Sequence, residues 1–376
     1  MNNLFFFGTL CDEALLKIVL GRGPGDDLHL TPARLPDYAV TWVKDQPFPM
    51  MSLVQGGMAE GVLVTDLSAG DQKRLDFYED GFGYDRAAVT VETDQGAVEA
   101  QVYLAQPGRW EPGAPWSLGD WQAQWGAQTR HAAQEVMDHY GSLSPAEMGF
   151  ARPQIMARAS SWARAQGQKR PLNVGSALGA QHTHMVAQRR PYTKFFAVEE
   201  QDIRFARFDG SLSKTVTRAA FVSGDAVTVL PYDPVRERVL LVEQFRFGPM
   251  VRGDQNPWSL EPIAGRIDPG ETPQQAAVRE AREETHLDIT RLELIGEYYP
   301  SPGAVTEYLF SYIGLADLPD EAAVIGGLED EAEDIRGVLL SFDDLMGLLQ
   351  SGEAQNGPLI LSALWLAANR GRFHAG

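Results

Sequence analysis

Short apolar runs broken by Gly, Pro and Asp turns fill the first 105 residues, which predicts strands more than helices. Residues 4–7 form one apolar run and read as a buried strand. Residues 38–43, 61–65, 87–92 and 98–104 read as further strands. Residues 13–20 and 68–78 have helical spacing, so the stretch is a compact α+β unit. The pattern then changes. Residues 106–117 hold prolines and tryptophans, 121–140 and 153–166 are helical, and 168–190 are polar and rich in Gly and Gln. Residues 106–190 are therefore expected to be a helical connector with a loop. From Tyr192 the strand pattern returns at 219–222, 226–230, 239–242, 295–299, 308–313 and 337–342. Helical patterns at 272–287 and 358–368 interrupt it. Strands with helices on either side predict an α/β/α sandwich. The expected divisions are 1–105, 106–190 and 191–376.

One of these helices carries unusual chemistry. Thr272 suits the N-cap, Pro273 the first turn, and Gln275 completes a capping box. At about 100° per residue, Glu280, Glu283 and Glu284 share roughly a 100° arc of one face. Three carboxylates so close repel unless neutralised. Hard divalent cations such as Mg²⁺ do this through oxygen ligands, commonly shared with phosphates of a substrate. Gly265 and Gly270 precede the helix and allow tight turns and close backbone approach.

The formal net charge of −19 argues against nucleic acid and anionic membrane surfaces as partners, because both need Lys and Arg against phosphate. Small phosphorylated ligands that bind through a metal stay open. The single cysteine, Cys11, excludes an intrachain disulfide and a Cys-based zinc site. It reads as a small buried residue. His182 and His184, in a polar stretch, read as solvated. The first residues lack the basic region of a signal peptide, and no apolar run approaches the length of a membrane span. A cytoplasmic location is expected.

The spacing Gly265-x5-Glu271-x7-Arg279-Glu280-x-x-Glu283-Glu284, with apolar Leu287 after it, resembles the signature of the Nudix hydrolases. His286 departs from it, standing where the family has Gly at a helix end expected to take positive φ. The resemblance implies that Glu280 and Glu284 ligate Mg²⁺ (or Mn²⁺), with Glu283 shared or close by and the Ala264 carbonyl as a further ligand. Arg279 would hold the carboxylates in place. Further features are similar to the ADP-ribose pyrophosphatase branch. These are Glu243-Gln244-Phe245-Arg246, the strand 258–262 with Glu261, Pro302 fifteen residues past Leu287, and the acidic loop 329–335. In that branch Arg246 and Glu261 fall on substrate-binding positions. Glu331 falls on the proposed general base and Glu333 on the acid that completes the metal site. The implied reaction is hydrolysis of ADP-ribose to AMP and ribose 5-phosphate by a homodimer formed through this domain. GDP-mannose, NADH or FAD as substrate, or a metabolite sensor without turnover, are the alternatives.

Phe7-Gly8-Thr9-Leu10, together with Asp76-Phe77-Tyr78-Glu79 and Tyr84-Asp85-Arg86, resembles the gamma-glutamylcyclotransferase-like fold. That fold implies a small mixed β-barrel with helices over about residues 1–105. Phe7 replaces the usual Tyr, and Asp80 replaces the Gly that normally follows the glutamate. The resemblance implies Glu79 as a base that removes a proton from the attacking α-amine. Backbone N–H groups of Gly8, Thr9 and Leu10 would bind a carboxylate or oxyanion. The two-part layout is also similar to that of tellurite-resistance-associated Nudix proteins.

Overall fold

Phe5 and Phe6 point to opposite sides of the first strand, β1 (Leu4–Phe6), and both are buried. Side chains alternate along a strand, so an unbroken apolar run means that both faces are covered. The computed structural model that shows this describes residues 3–80, 82–327 and 334–373. The chain divides into two units, Met1–Lys169 and Arg170–Gly376.

In the first unit β1 is followed by α1 (Glu13–Leu20), β2 (Thr31–Val43), β3 (Pro49–Val64), α2 (Ala69–Asp80), β4 (Tyr84–Thr93), β5 (Gly96–Ala105) and β6 (Pro112–Pro115). The strand order β3-β1-β5-β4-β2, with β2 paired back to β3, closes a five-stranded barrel, and β6 adds to β2. Phe5, Leu35, Met51, Leu63, Val91 and Val102 fill it. The expected mixed barrel with helices is therefore present. Strands β2 and β3 run well beyond 38–43 and 61–65, bending where the register shifts between Pro36 and Tyr38.

The connector expected over 106–190 is corrected by the structure. Helices α3 (Leu118–Trp121), α4 (Ala127–Asp138) and α5 (Pro145–Gly167) belong to the first unit. Trp121, Val136, Met148 and Ile155 join Leu4, Phe6 and Leu15 in one core. The apolar faces that mark these segments as helical are thus buried against the other face of β1 and against α1. Glu135 on α4 and Arg158 on α5 add an ion pair at 2.6 Å with both side chains buried.

The second unit starts with a three-stranded antiparallel sheet of β7 (Thr183–Thr193), β8 (Ala197–Phe205) and β9 (Val216–Val222). Here β7 occupies part of the expected polar loop. Most of its residues are exposed, on both faces, so the alternation that marks a strand never develops. There follow β10 (Ala226–Asp233), β11 (Arg238–Phe245), α6 (Phe247–Arg252), β12 (Trp258–Glu261), β13 (Ile263–Arg266), α7 (Pro273–Thr285), β14 (Arg291–Tyr298), β15 (Leu309–Leu315), β16 (Ile325–Gly326), β17 (Ile335–Ser341), α8 (Phe342–Ser351) and α9 (Gly357–Asn369). The mixed sheet runs β14-β15-β10-β11-β17-β16, with β12 on β11 and β13 on β10. Ala276, Ala277 and Ala281 of α7 pack against Val227 and Val229. Leu345 of α8 and Leu359, Ala363 and Leu366 of α9 pack with Leu230 and Tyr232. Neighbouring residues of β10 thus point to opposite helical layers, which makes the α/β/α sandwich expected from the pattern.

Candidate functional site

Helix α7 begins as its sequence dictates. Thr272 accepts from the Gln275 amide, and Gln275 Oε1 accepts from the Thr272 amide at 2.9 Å. Pro273 occupies the first turn. The helix ends at His286 in the left-handed region, with φ 57° and ψ 21°. The His286 and Leu287 amides close the last turn by donating to Arg282 and Ala281 carbonyls. His takes the place that glycine fills most easily, and its Nδ1 lies 3.2 Å from the Arg282 carbonyl.

Arg279 organises the acidic face. Its Nε and Nη2 donate to the two oxygens of Glu271 at 2.9 and 3.0 Å. Its Nη1 donates to Glu280 at 2.8 Å and to Glu283 at 2.9 Å, and Nη2 also reaches the Arg266 carbonyl at 2.8 Å. One guanidinium therefore ties the loop acid, two helix acids and the β13 backbone together. Burial pushes Glu271 up, but the bonds from Arg279 and the Asp268 amide outweigh it and hold the carboxyl below its ordinary range. Glu284, on the same face, is buried.

Gly265 sits in β13 opposite Val227, beside Ala264 opposite Thr228. A Cβ at Gly265 would lie 1.9 Å from Glu280 Oε1. The bare backbone is what lets that carboxyl lie against the strand. Among the described residues, no three His, Cys, Asp or Glu side chains are grouped around a common metal position, and Arg279 engages Glu280 and Glu283. The donors present are carboxylate oxygens beside a strand backbone, which is the chemistry a hard divalent cation accepts. Glu331 and Glu333 lie outside the described residues.

Arg246 and Glu261 are brought together. Arg246 follows β11 and Glu261 ends β12, two paired strands. Arg246 Nη2 donates to Glu261 at 2.7 Å and Nε reaches both its oxygens at 3.1 Å. Pro302 lies in an exposed turn closed by the Ala304 and Val305 amides on the Ser301 carbonyl. Sequence reasoning missed Glu307, whose carboxyl burial raises against the opposing fields of Arg266 and Arg246. It also missed Arg266, whose guanidinium lies 4.1 Å over the Phe195 ring. A lone acid just ahead of the apolar β15 run was the available signal for Glu307.

The first unit holds a separate concave pocket. Gly8, Thr9 and Leu10 form one edge, and Phe48, Glu79 and Phe82 line another part. A Cβ at Gly8 would meet Pro49 Cγ at 2.6 Å, so the loop passes close to β3 because it has none. Glu79, the penultimate residue of α2, is buried. Burial pushes its carboxyl up to about 7, against the field of Arg152. Tyr84 donates to the Pro49 carbonyl at 2.6 Å and Tyr103 to Asp76 at 2.8 Å. Both hydroxyls are thereby directed to protein acceptors. Arg152, on α5, was missed at the sequence level because its helix was read as a connector. Cys11 donates to the Phe6 carbonyl at 3.1 Å, and burial pushes its thiol up to about 12, which suits a structural residue. His182 Nδ1 accepts from the Gly179 amide at a turn.

Comparison with known proteins agrees with this division. The family model described as NUDIX domain matches residues 222–362. That described as Gamma-glutamyl cyclotransferase, AIG2-like matches residues 4–123. The ADP-ribose pyrophosphatase of Escherichia coli (strain K12) is 33% identical over 197 residues, covering 52% of this chain and 93% of that protein. The GDP-mannose pyrophosphatase of Salmonella choleraesuis (strain SC-B67) is 35% identical over 144 residues, covering 38% and 74%. A solved structure described as an ADP compounds hydrolase aligns at a TM-score of 0.40 with 20% identity, over 54% of this chain and 100% of that one. The N-terminal unit is similar to the gamma-glutamyl cyclotransferase, AIG2-like model over residues 4–123, and the chain belongs to the Nudix family through its C-terminal unit.

Proposed function

We propose that the C-terminal unit hydrolyses the diphosphate of ADP-ribose to AMP and ribose 5-phosphate. The observation that carries this reading is the Arg279 fork, which gathers Glu271, Glu280 and Glu283 beside the glycine strand. Glu280, Glu284 and the Ala264 carbonyl would hold Mg²⁺, with Glu283 close by and Glu333 as a further ligand. The chemistry Mg²⁺ supplies when bound is charge offset on the diphosphate and acidification of a water. Arg279 keeps the acids oriented. Arg246, held by Glu261, presents a cation to the diphosphate, and Pro302 belongs to the turn that borders substrate. Glu331 serves as the base that takes the proton of the attacking water. The 33% identity to an ADP-ribose pyrophosphatase over most of that protein supports the nucleotide.

A second reading, GDP-mannose as substrate, is favoured by the likeness to a GDP-mannose pyrophosphatase. Exposed Met185, Val186 and Tyr192 on the β7–β8–β9 sheet support a homodimer formed through this unit. A cytoplasmic location fits the single cysteine. In the N-terminal unit Glu79 acts as the base of a gamma-glutamyl cyclisation, with Gly8, Thr9 and Leu10 holding the substrate carboxylate or oxyanion.

A panel of ADP-ribose, GDP-mannose, NADH and FAD with Mg²⁺, read by chromatography of the nucleotide products, separates the substrates. Glu284→Gln is expected to abolish turnover while leaving the unfolding transition in place. A near-normal rate in that variant would remove the metal assignment.

A further inference from the structure

We infer that Arg152, from helix α5, is a positioning residue of the N-terminal pocket that holds the pocket carboxylate Glu79 in place. This role rests on the pocket being a ligand site. Arg152 lies outside the segment that the gamma-glutamyl cyclotransferase family model matches, residues 4–123. Its Nη2 donates to the Tyr78 carbonyl at 2.8 Å, the carbonyl directly before Glu79. Its guanidinium lies 4.3 Å over the Phe82 ring and 5.3 Å over the Tyr78 ring. Phe82 lines the pocket beside Glu79, and its amide donates back to the Glu79 carbonyl at 2.9 Å. One planar cation therefore grips the chain on both sides of the carboxylate.

The charge matters as much as the grip. Glu79 is buried, and a carboxyl without a nearby cation in such surroundings stays neutral and cannot accept a proton. The charged and titratable groups around it are Arg152 from α5, Tyr78 on its own helix, Tyr84 from β4 and Tyr103 from β5. Asp76 and Arg86 engage each other at the Tyr103 hydroxyl. Arg152 is the group whose field favours the charged form of Glu79. Its Nε is shielded from solvent and makes no hydrogen bond within the described residues. Its hydrogen bond to the Tyr78 carbonyl ties the side chain to the α2 end.

The test is a carboxyl titration by NMR of the full chain labelled with ¹³C-glutamate, with Glu79→Gln identifying the signal. Arg152→Met is expected to raise the Glu79 midpoint by about one pH unit or more. Arg152→Lys, which restores the charge, is expected to bring it most of the way back. A midpoint unmoved in a folded Arg152→Met variant overturns the assignment. Should Arg152→Met fail to fold, Arg152→Gln, which keeps a donor for the Tyr78 carbonyl, carries the same expectation and the same overturning result. Binding of 5-oxoproline, the product of gamma-glutamyl cyclisation, tests the pocket reading separately. Loss of binding in Glu79→Gln supports that reading, and equal binding in wild type and Glu79→Gln overturns it. Neither result changes what the titration says about Arg152.

Discussion

Arg279 grips Glu271 with two parallel hydrogen bonds across eight residues of sequence, fixing the loop before α7 to the helix itself. The same guanidinium reaches Glu280 and Glu283. Lysine has a point charge in place of the planar fork and cannot serve all three acids at once. Arg279→Lys is expected to lower nucleotide hydrolysis by about 10- to 100-fold, as loss of a partner that orients metal ligands generally does. Isothermal calorimetry with Mg²⁺ should show weaker binding in the same variant. Unchanged binding and rate would mean that the fork is ornamental.

His286 pays for its left-handed backbone with strain that glycine does not have. His286→Gly is expected to stabilise the second unit by about 0.5–1 kcal/mol, since the left-handed penalty for a side chain is about 1–2 kcal/mol and glycine returns part of it as entropy. Chemical denaturation compares the two. A destabilised glycine variant would show that the contact of Nδ1 with the Arg282 carbonyl outweighs the strain.

The buried Glu79 should make stability depend on pH. Its folded pKa of about 7 is above its ordinary value of 4.5. The stabilising contribution is therefore complete below about pH 4.5 and is lost as pH rises through about 7. Glu79→Gln cannot ionise, so it should match wild type near pH 4 and exceed it by up to about 3 kcal/mol above pH 8. Urea unfolding at a series of pH values tests this. Parallel profiles for the two proteins would contradict it.

Glu135 and Arg158 form a buried pair between α4 and α5. Breaking a buried ion pair by removing one partner is strongly destabilising, so Arg158→Met is expected to cost about 3–5 kcal/mol. Adding Glu135→Leu should recover much of that loss. If the single and double variants melt alike, the pair is not coupled. A fragment ending at residue 123 lacks Val136, Met148 and Ile155 of the core. It should not melt cooperatively, whereas one ending at 169 should.

What the sequence made readable was local. The cap of α7, its glycine loop, its acidic face and even the positive φ at His286 depend on residues within a few positions of each other. The two faces of β1 were equally plain from an unbroken apolar run. Long-range pairings were not. Strand β2 carries Pro32, Pro36 and a positive φ at Asp37, which break the alternation over half its length. Strand β7 buries too little to show a period. Arg246 and Glu261 were each marked by their local motifs, but their pairing across β11 and β12 was not, and Arg152, beside Glu79, comes from a segment whose own pattern announces only a helix. Nothing in a linear pattern tells which distant cation a buried carboxylate will meet.

The place of α5 in the first core also sets an order in time. Translation proceeds at about 5–20 residues per second, and domains form as units during synthesis. Glu79 leaves the ribosome roughly 70 residues, and so about 4–15 seconds, ahead of Arg152. Once Ala105 has followed, the barrel strands are all present, yet the helical side of β1 waits uncovered for Met148 and Ile155. A nascent chain paused in this window would expose its most apolar strand, and is the species a chaperone would meet.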